Sequence, residues 1–348
     1  MLKKTVDGPE HVPAGHPSVA FGKIGVLLIN LGTPEGTSYW PMRRYLKEFL
    51  WDERVIDVPR PIWWFILNCI ILTTRPSKSG EAYEQIWNHE LNESPLKTIT
   101  RSQAEKVAGR LAAHPNIEVE WAMRYGLPPI KEKIEKLKEA GCDRVLLFPL
   151  YPQYSAATTA SVQDKAFDAL KEMRWQPAVR TVPAFHDHPV YIDALVASMN
   201  THLATLDWAP DLVLASFHGL PKRYLDLGDP YHCHCMKTAR LMREKLGWEN
   251  DKLQVVFQSR FGSEEWLKPY AEDTVRDLAQ SGTKNLAMIM PAFIADCVET
   301  LEEIAIGLKE VFEENGGENF TAVPCLNDSE EGIEVLTSLI ETELSGWI

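Results

Sequence analysis

The stretch KIGVLLINLGTPEG, residues 23–36, decides the fold. It is a continuous apolar run ending on Gly and Pro, without alternation of polar and apolar positions. A strand buried on both faces reads this way, and such strands belong to parallel sheets covered by helices. The phrase recurs as NIEVEWAMRYGLPP at 116–129, DRVLLFPLYPQYS at 143–155, PDLVLASFHGLPKR at 210–223, KLQVVFQSRFGSEEW at 252–266 and KNLAMIMPAFIADCVETLEE at 284–303. Helix-like stretches lie between, among them SQAEKVAGRLAAH at 102–114, IKEKIEKLKEAG at 130–141 and TARLMREKLG at 238–247. Strand alternating with helix predicts a doubly wound α/β fold.

A chain of 348 residues is long for one ordinary core. Its second half repeats the rhythm of its first. KLKEAGCDRVLLFPLYPQYSAATT at 136–159 is echoed by DLAQSGTKNLAMIMPAFIADCVETL at 277–301: helix, Gly turn, strand, Pro, aromatic-containing loop. The expectation is two similar Rossmann-like domains, each a parallel sheet flanked by helices, with the active-site cleft between them. The boundaries read as a flexible arm over 1–22, a first domain over 23–190 with a lip at about 59–78, a second over 191–325, and a C-terminal helix over 326–348 packing back on the body.

Composition narrows the function. Net charge is −13 and no basic stripe is present, so nucleic acid is not expected as a partner. An anionic ligand must be held by local cations. No G-x-G-x-x-G or Walker lysine follows a strand, so no nucleotide cofactor is expected. The six cysteines, Cys69, Cys142, Cys233, Cys235, Cys297 and Cys325, form no disulfide framework, and the first residues carry no signal-peptide core. A cytoplasmic protein is expected. No run reaches the length of a membrane span; the nearest is PIWWFILNCIIL at 61–72.

In doubly wound sheets ligands sit beyond the carboxyl ends of the strands. The polar residues there are Asn30, Arg124, Tyr151, His218, Ser259, Asp296 and Glu299. His218 follows an apolar strand and precedes Gly-Leu-Pro, which suits a general base in the cleft as well as an ordinary loop histidine. Glu299 and Glu303 share one helix face, as a cation path, a proton conduit or a solvated first turn.

Taken together, ASFHGLPKRYLDLGDPY and PAFIADCVETLEE resemble the two signature regions of the ferrochelatases, which insert ferrous iron into protoporphyrin. LLINLGTP, NESPL, MRYGLPP, LYPQYSAATT and FQSRFGSEEWLKP extend the resemblance across residues 23–345. The resemblance implies a chelatase-type fold, with protoporphyrin IX and Fe(II) as substrates. It implies that His218 abstracts pyrrole protons, that Glu299 is the acid of the D-x-x-E-T-L motif and, with His218, a metal-site residue, and that Asp296 and Glu303 continue an acidic line. Porphyrin contacts are implied for Leu31, Arg75, Lys78, Tyr83, Arg124, Tyr125, Tyr151, Ser259, Trp266 and Phe293. Leu31 stands where some members carry Met, and Cys297 where animal members carry a second histidine.

Two segments carry further expectations. The Trp-rich run at 61–72 reads as a core helix, a partner surface or a membrane-touching lip, the last implying peripheral attachment at the inner face of the cytoplasmic membrane. HCHC at 232–235 lacks the spacing of a structural zinc site. Some ferrochelatases carry a 2Fe-2S cluster. Ala156 stands at one of its ligand positions here, and an alternative set would be Cys233, Cys235, Cys325 and a further thiol. A related chelatase for coproporphyrin, cobalt or nickel, and a haem or metal carrier, share parts of the pattern. Oligomeric state is not legible.

Overall fold

The computed structural model describes residues 15–16 and 19–348; most of the arm expected over residues 1–22 lies outside them. The first sheet contains β1 (Lys23–Thr33), β2 (Ile117–Gly126), β3 (Cys142–Pro149) and β4 (Ala178–Thr181), in the order β2-β1-β3-β4. The second contains β5 (Leu212–His218), β6 (Leu253–Gln258), β7 (Asn285–Ile289) and β8 (Asn319–Ala322), in the equivalent order β6-β5-β7-β8. All ladders are parallel. The Rossmann-like duplication expected from the repeated phrases is therefore the architecture observed.

The helices are α1 (Tyr39–Leu50), α2 (Arg60–Phe65), α3 (Leu72–Ile86), α4 (Pro95–Arg110), α5 (Ile130–Glu139), α6 (Ser161–Lys171), α7 (Pro189–Leu203), α8 (Lys222–Asp226), α9 (Tyr231–Leu246), α10 (Ala271–Gln280), α11 (Lys309–Glu314) and α12 (Glu330–Glu343). β1 shows why its sequence does not alternate. Ile24, Val26 and Leu28 enter one apolar cluster, while Leu27 and Ile29 enter another with α5 and α6. Successive side chains point to opposite faces, and here both faces are covered.

The larger cluster also takes Val213, Ala215 and Phe217 of β5, together with residues of α7 and α12. The two sheets thus share apolar packing through these helices. The end of the chain is tied to the first sheet: Arg144 Nη1 donates to the Trp347 carbonyl at 2.9 Å, and Arg180 Nη1 to those of Glu343 at 2.6 Å and Ser345 at 2.9 Å.

The lip is helical from Arg60 to Ile86, with a π-helical stretch at Ile66–Ile71. Pro76 sits inside α3 and has no N–H to offer the carbonyl of Leu72. The Tyr39 hydroxyl satisfies that carbonyl instead, at 2.9 Å. Trp63, Leu67 and Leu72 are buried, and Trp63 Nε1 donates to Leu50 O at 2.7 Å. Ile62, Trp64, Phe65 and Ile70 are more than half exposed. Among the described residues no helix is long and apolar enough to cross a membrane.

Candidate active site

In each sheet the first strand has its neighbours on opposite sides, so the chain leaves it at a topological switch point. Leu31–Thr33 ends β1 and His218 ends β5. At the first switch point, Gly32 has φ +116°, and a Cβ there would lie 1.8 Å from the Tyr125 carbonyl oxygen. At the second, Gly219 N donates to Gln258 O at 2.8 Å, and a Cβ would come within 2.6 Å of that oxygen. Glycine at each point lets neighbouring strand ends close together around the cleft.

His218 is half-buried, with Nδ1 2.6 Å from the carbonyl oxygen of Gly219. A carbonyl can only accept, so this bond places the ring proton on Nδ1 and leaves a lone pair on Nε2. A neutral imidazole so held is a base with a defined free nitrogen.

Facing it is the π-helix Glu299–Leu308. The Glu303 carboxylate is gripped by the second sheet. Ser259 N donates to Oε1 at 2.7 Å, Ser259 Oγ to Oε2 at 2.5 Å, and Gln258 Nε2 to Oε2 at 3.3 Å. Burial, joined by the nearby Glu299 charge, raises the Glu303 proton affinity against these bonds and against the influence of His218. Gln258 also donates to the Glu299 carbonyl at 2.8 Å, and its Oε1 accepts from Ser216 Oγ at 2.8 Å, which fixes which way the amide points. A cavity of about 420 Å³, lined in part by Ser259, Arg260, Glu272, Asp273, Glu302 and Glu303, adjoins the outer carboxylate.

Asp296 is saturated. Its Oδ1 accepts from Thr300 Oγ1 at 2.8 Å and Cys325 N at 3.4 Å, and its Oδ2 from Asn327 Nδ2 at 2.6 Å. With 6% exposure it anchors the start of the π-helix.

The opposite wall comes from the first sheet. Leu31 packs both on the cluster of Met42, Tyr45, Tyr83, Trp87 and Tyr125 and on that of Leu96, Ala295 and Cys297. Burial drives the Tyr45, Tyr83 and Tyr151 hydroxyls well above their ordinary pKa, and the Glu299 charge adds to this in all three, so the carboxylate looks onto this wall. Tyr151 Oη and Thr33 Oγ1 are buried without a protein partner. Arg124 and Tyr125 are both engaged with Asp52. Its Oδ2 receives Arg124 Nη2, the Tyr125 hydroxyl at 2.8 Å and Ser161 Oγ at 2.5 Å. Although burial opposes it, the Ser161, Arg54 and Tyr125 hydrogen bonds and the Arg124 charge hold the Asp52 carboxyl below its usual value.

Trp266 lies against Gly219, and Phe293 packs on clusters of both walls. Arg75 and Lys78 are exposed on α3, with the Arg75 guanidinium 4.5 Å from the centre of the Phe261 ring. Ser259 and Glu303 thus meet directly, His218 is near enough to act on the Glu303 charge, and the Glu299 charge is felt by Tyr83 and Tyr151. Sequence reasoning missed Gln258, Ser216, Asn327, Asp52 and Ser161. Their partners lie far along the chain, and no local spacing signals them.

HCHC forms the first turn of α9. Residues two apart on a helix do not face each other, and accordingly Cys233 is exposed while Cys235 is buried. The residues Cys233, Cys235 and Cys325 do not fit a shared 2Fe-2S cluster in this arrangement. Among the described residues no three His, Cys, Asp or Glu side chains are grouped to hold a metal ion. His234 instead stacks on His186, with ring centroids 3.6 Å apart and planes 5° from parallel, and its Nδ1 accepts from Tyr154 N at 3.2 Å. Burial and the neighbouring ring take His186 from 6.5 down to about 4. The unfolded chain therefore takes up a proton that the folded chain refuses, and stability falls as pH drops from 6.5 toward that value. His186→Phe keeps the stack and removes the titration. Its melting temperature should fall less than that of the wild type between about pH 7 and about pH 5; equal slopes would show that the stack does not set the acid limit.

A family model described as Ferrochelatase matches residues 23–344. The ferrochelatase of Rhizobium meliloti (strain 1021) is 62% identical over 333 residues, covering 96% of this chain and 98% of that relative. The ferrochelatase of Allorhizobium ampelinum is 60% identical over 338 residues, covering 97% and 98%. Among solved structures, SirB from Bacillus subtilis with Fe3+ has a TM-score of 0.55 at 10% identity, covering 93% of this chain and 97% of that one. The sirohydrochlorin chelatase SirB from Bacillus subtilis subspecies spizizenii in complex with cobalt has a TM-score of 0.50 at 9% identity, covering 92% and 96%. These last two likenesses are of fold.

Proposed function

The chain belongs to the ferrochelatase family, and from that premise we propose which of its residues carry the reaction. The enzyme inserts ferrous iron into protoporphyrin IX to give protohaem and two protons, a lyase step of haem biosynthesis. The flat macrocycle must pucker so that its nitrogen lone pairs leave the plane, and it must lose two N–H protons as the metal arrives. A rigid cleft between two sheets supplies the clamp, and apolar burial supports the strain.

His218 is the base. The observation that carries this assignment is the Nδ1 bond to Gly219 O, which leaves Nε2 bare. Nε2 takes a pyrrole proton. Glu299 and Glu303 pass it outward toward the cavity beside Glu302, and Asp296 holds the helix start that positions them. Leu31, Tyr83, Tyr151, Trp266 and Phe293 bound the macrocycle, while Arg75 and Lys78 take its carboxylates at the mouth. Arg124 and Tyr125 act through Asp52 to hold the wall. An anaerobic assay of protohaem formation from ferrous iron and protoporphyrin IX, with coproporphyrin in parallel, tests the function; no turnover of protoporphyrin would overturn it.

The exposed face of the lip is the membrane contact, through which an apolar substrate passes from the bilayer at the cytoplasmic side. Support comes from Ile62, Trp64, Phe65 and Ile70, which stand more than half in solvent on one helical segment. Trp63 belongs to the core, so it is left intact in the test. Trp64→Ser with Phe65→Ser should lower co-sedimentation with anionic or mixed lipid vesicles by roughly tenfold or more, as expected for two aromatic rings no longer buried. Unchanged binding with unchanged melting would remove the lip from the membrane reading.

A further inference from the structure

We propose that Phe261 is a positioning residue for the porphyrin: it holds Arg75 across the cleft mouth with its hydrogen-bonding edge free for a carboxylate. The inference rests on the reading that Arg75 receives a porphyrin carboxylate. Arg75 lies on α3, in the first half of the chain, whereas Phe261 lies in the loop after β6, in the second. Their contact, 4.5 Å from guanidinium carbon to ring centre, spans the two halves of the molecule.

Two features make this more than a chance surface contact. First, the protein carries 49 acidic against 36 basic residues. Yet among the described residues neither Arg75 nor Lys78 is engaged by a carboxylate within ion-pair distance, and both are exposed. Second, Phe261 leaves 47% of its surface in solvent, so the ring is not there to fill a core.

The chemistry follows from the shape of the guanidinium. A guanidinium stacked on a ring offers its own flat face to the negative face of the ring. The N–H donors lie in the plane and point outward, in the fork that binds a carboxylate through two parallel hydrogen bonds. An acidic partner would occupy that fork and compete with the substrate. An aromatic partner restrains the side chain and leaves the fork open. The rotamer freedom that Arg75 would otherwise lose on binding is partly removed beforehand.

The test compares Phe261→Ala, Phe261→Tyr and Arg75→Ala, using protoporphyrin IX and its dimethyl ester, which lacks the carboxylate charges. Porphyrin dissociation constants come from fluorescence titration, and KM and kcat from anaerobic turnover. Phe261→Ala should raise the Kd and KM for the diacid roughly threefold to fivefold, the scale of an exposed cation–π contact. Its kcat should stay within about twofold, because the contact is remote from the pyrrole nitrogens. Phe261→Tyr should restore Kd and KM, and neither Phe261→Ala nor Arg75→Ala should change binding of the ester. If Arg75→Ala weakens diacid binding and Phe261→Ala does not, the positioning role is overturned while Arg75 keeps its carboxylate. Equal weakening of diacid and ester by Phe261→Ala would make the ring a plain wall contact and also overturn it. If Arg75→Ala leaves diacid binding unchanged, the carboxylate reading falls and the inference falls with it.

Discussion

His218→Ala is expected to lower metal insertion by at least roughly two orders of magnitude, the lower range of lost general acid–base assistance, while porphyrin still binds. The ring sits at the end of β5 with its Nδ1 proton held by Gly219 O, so the variant removes a base whose reactive nitrogen is already defined. It leaves the apolar wall intact: Phe217, the neighbouring strand residue, is buried in the main core and does not depend on the imidazole. Metalloporphyrin formation followed optically, with fluorescence titration of free-base porphyrin, separates the two effects. Activity within a few-fold of wild type would exclude His218 as the essential base.

Glu299→Gln is expected to cost turnover by a similar factor, roughly two orders of magnitude, with porphyrin affinity near wild type. The amide keeps the shape of the side chain and removes its charge and proton-carrying capacity. Glu303→Gln should cost less, because Glu303 stands one turn farther out. Two of its three hydrogen bonds come from Ser259, whose hydroxyl can turn to face an amide. Burial and the Glu299 charge raise the Glu303 proton affinity above the ordinary value of 4.5. The ionised, proton-accepting form is therefore lost on acidification at a pH above 4.5, and activity should decline there. The stability sign is opposite. The ionised buried acid destabilises the fold above 4.5, and that penalty disappears below it. Normal turnover by Glu299→Gln together with slow turnover by Glu303→Gln would move the first proton acceptor to Glu303. Normal turnover by both would reduce the acidic face to a solvated helix start.

Much of this molecule is written locally. The unalternating run of β1 announces a strand covered on both faces, and its echo in β5 announces the second sheet. Glycine and proline after each strand mark the turns, so the polar residue at each strand end is a candidate for the cleft on sequence alone. His218, Ser259 and Glu299 are candidates for that reason, and Glu303 because it stands four residues after Glu299. The residues that hold them were not. Gln258 orients Glu303 through an amide fixed by Ser216, 42 residues earlier, and Asp52 meets Arg124 and Ser161 from 72 and 109 residues away. No periodicity connects such positions, because their proximity is created by strand order and helix packing.

What sequence alone determined here is the set of elements, their duplication and the chemistry available at their ends. What only the tertiary structure decided is how those groups are partnered. It divided HCHC between two faces of a helix, set His234 on His186, buried Trp63 while exposing Trp64, and saturated Asp296 while leaving the Nε2 of His218 bare. The physical reason is that strand and helix formation follow from patterns within a few residues. Burial and hydrogen bonding, which set charge, tautomer and reactivity, depend on groups that only the folded chain brings together.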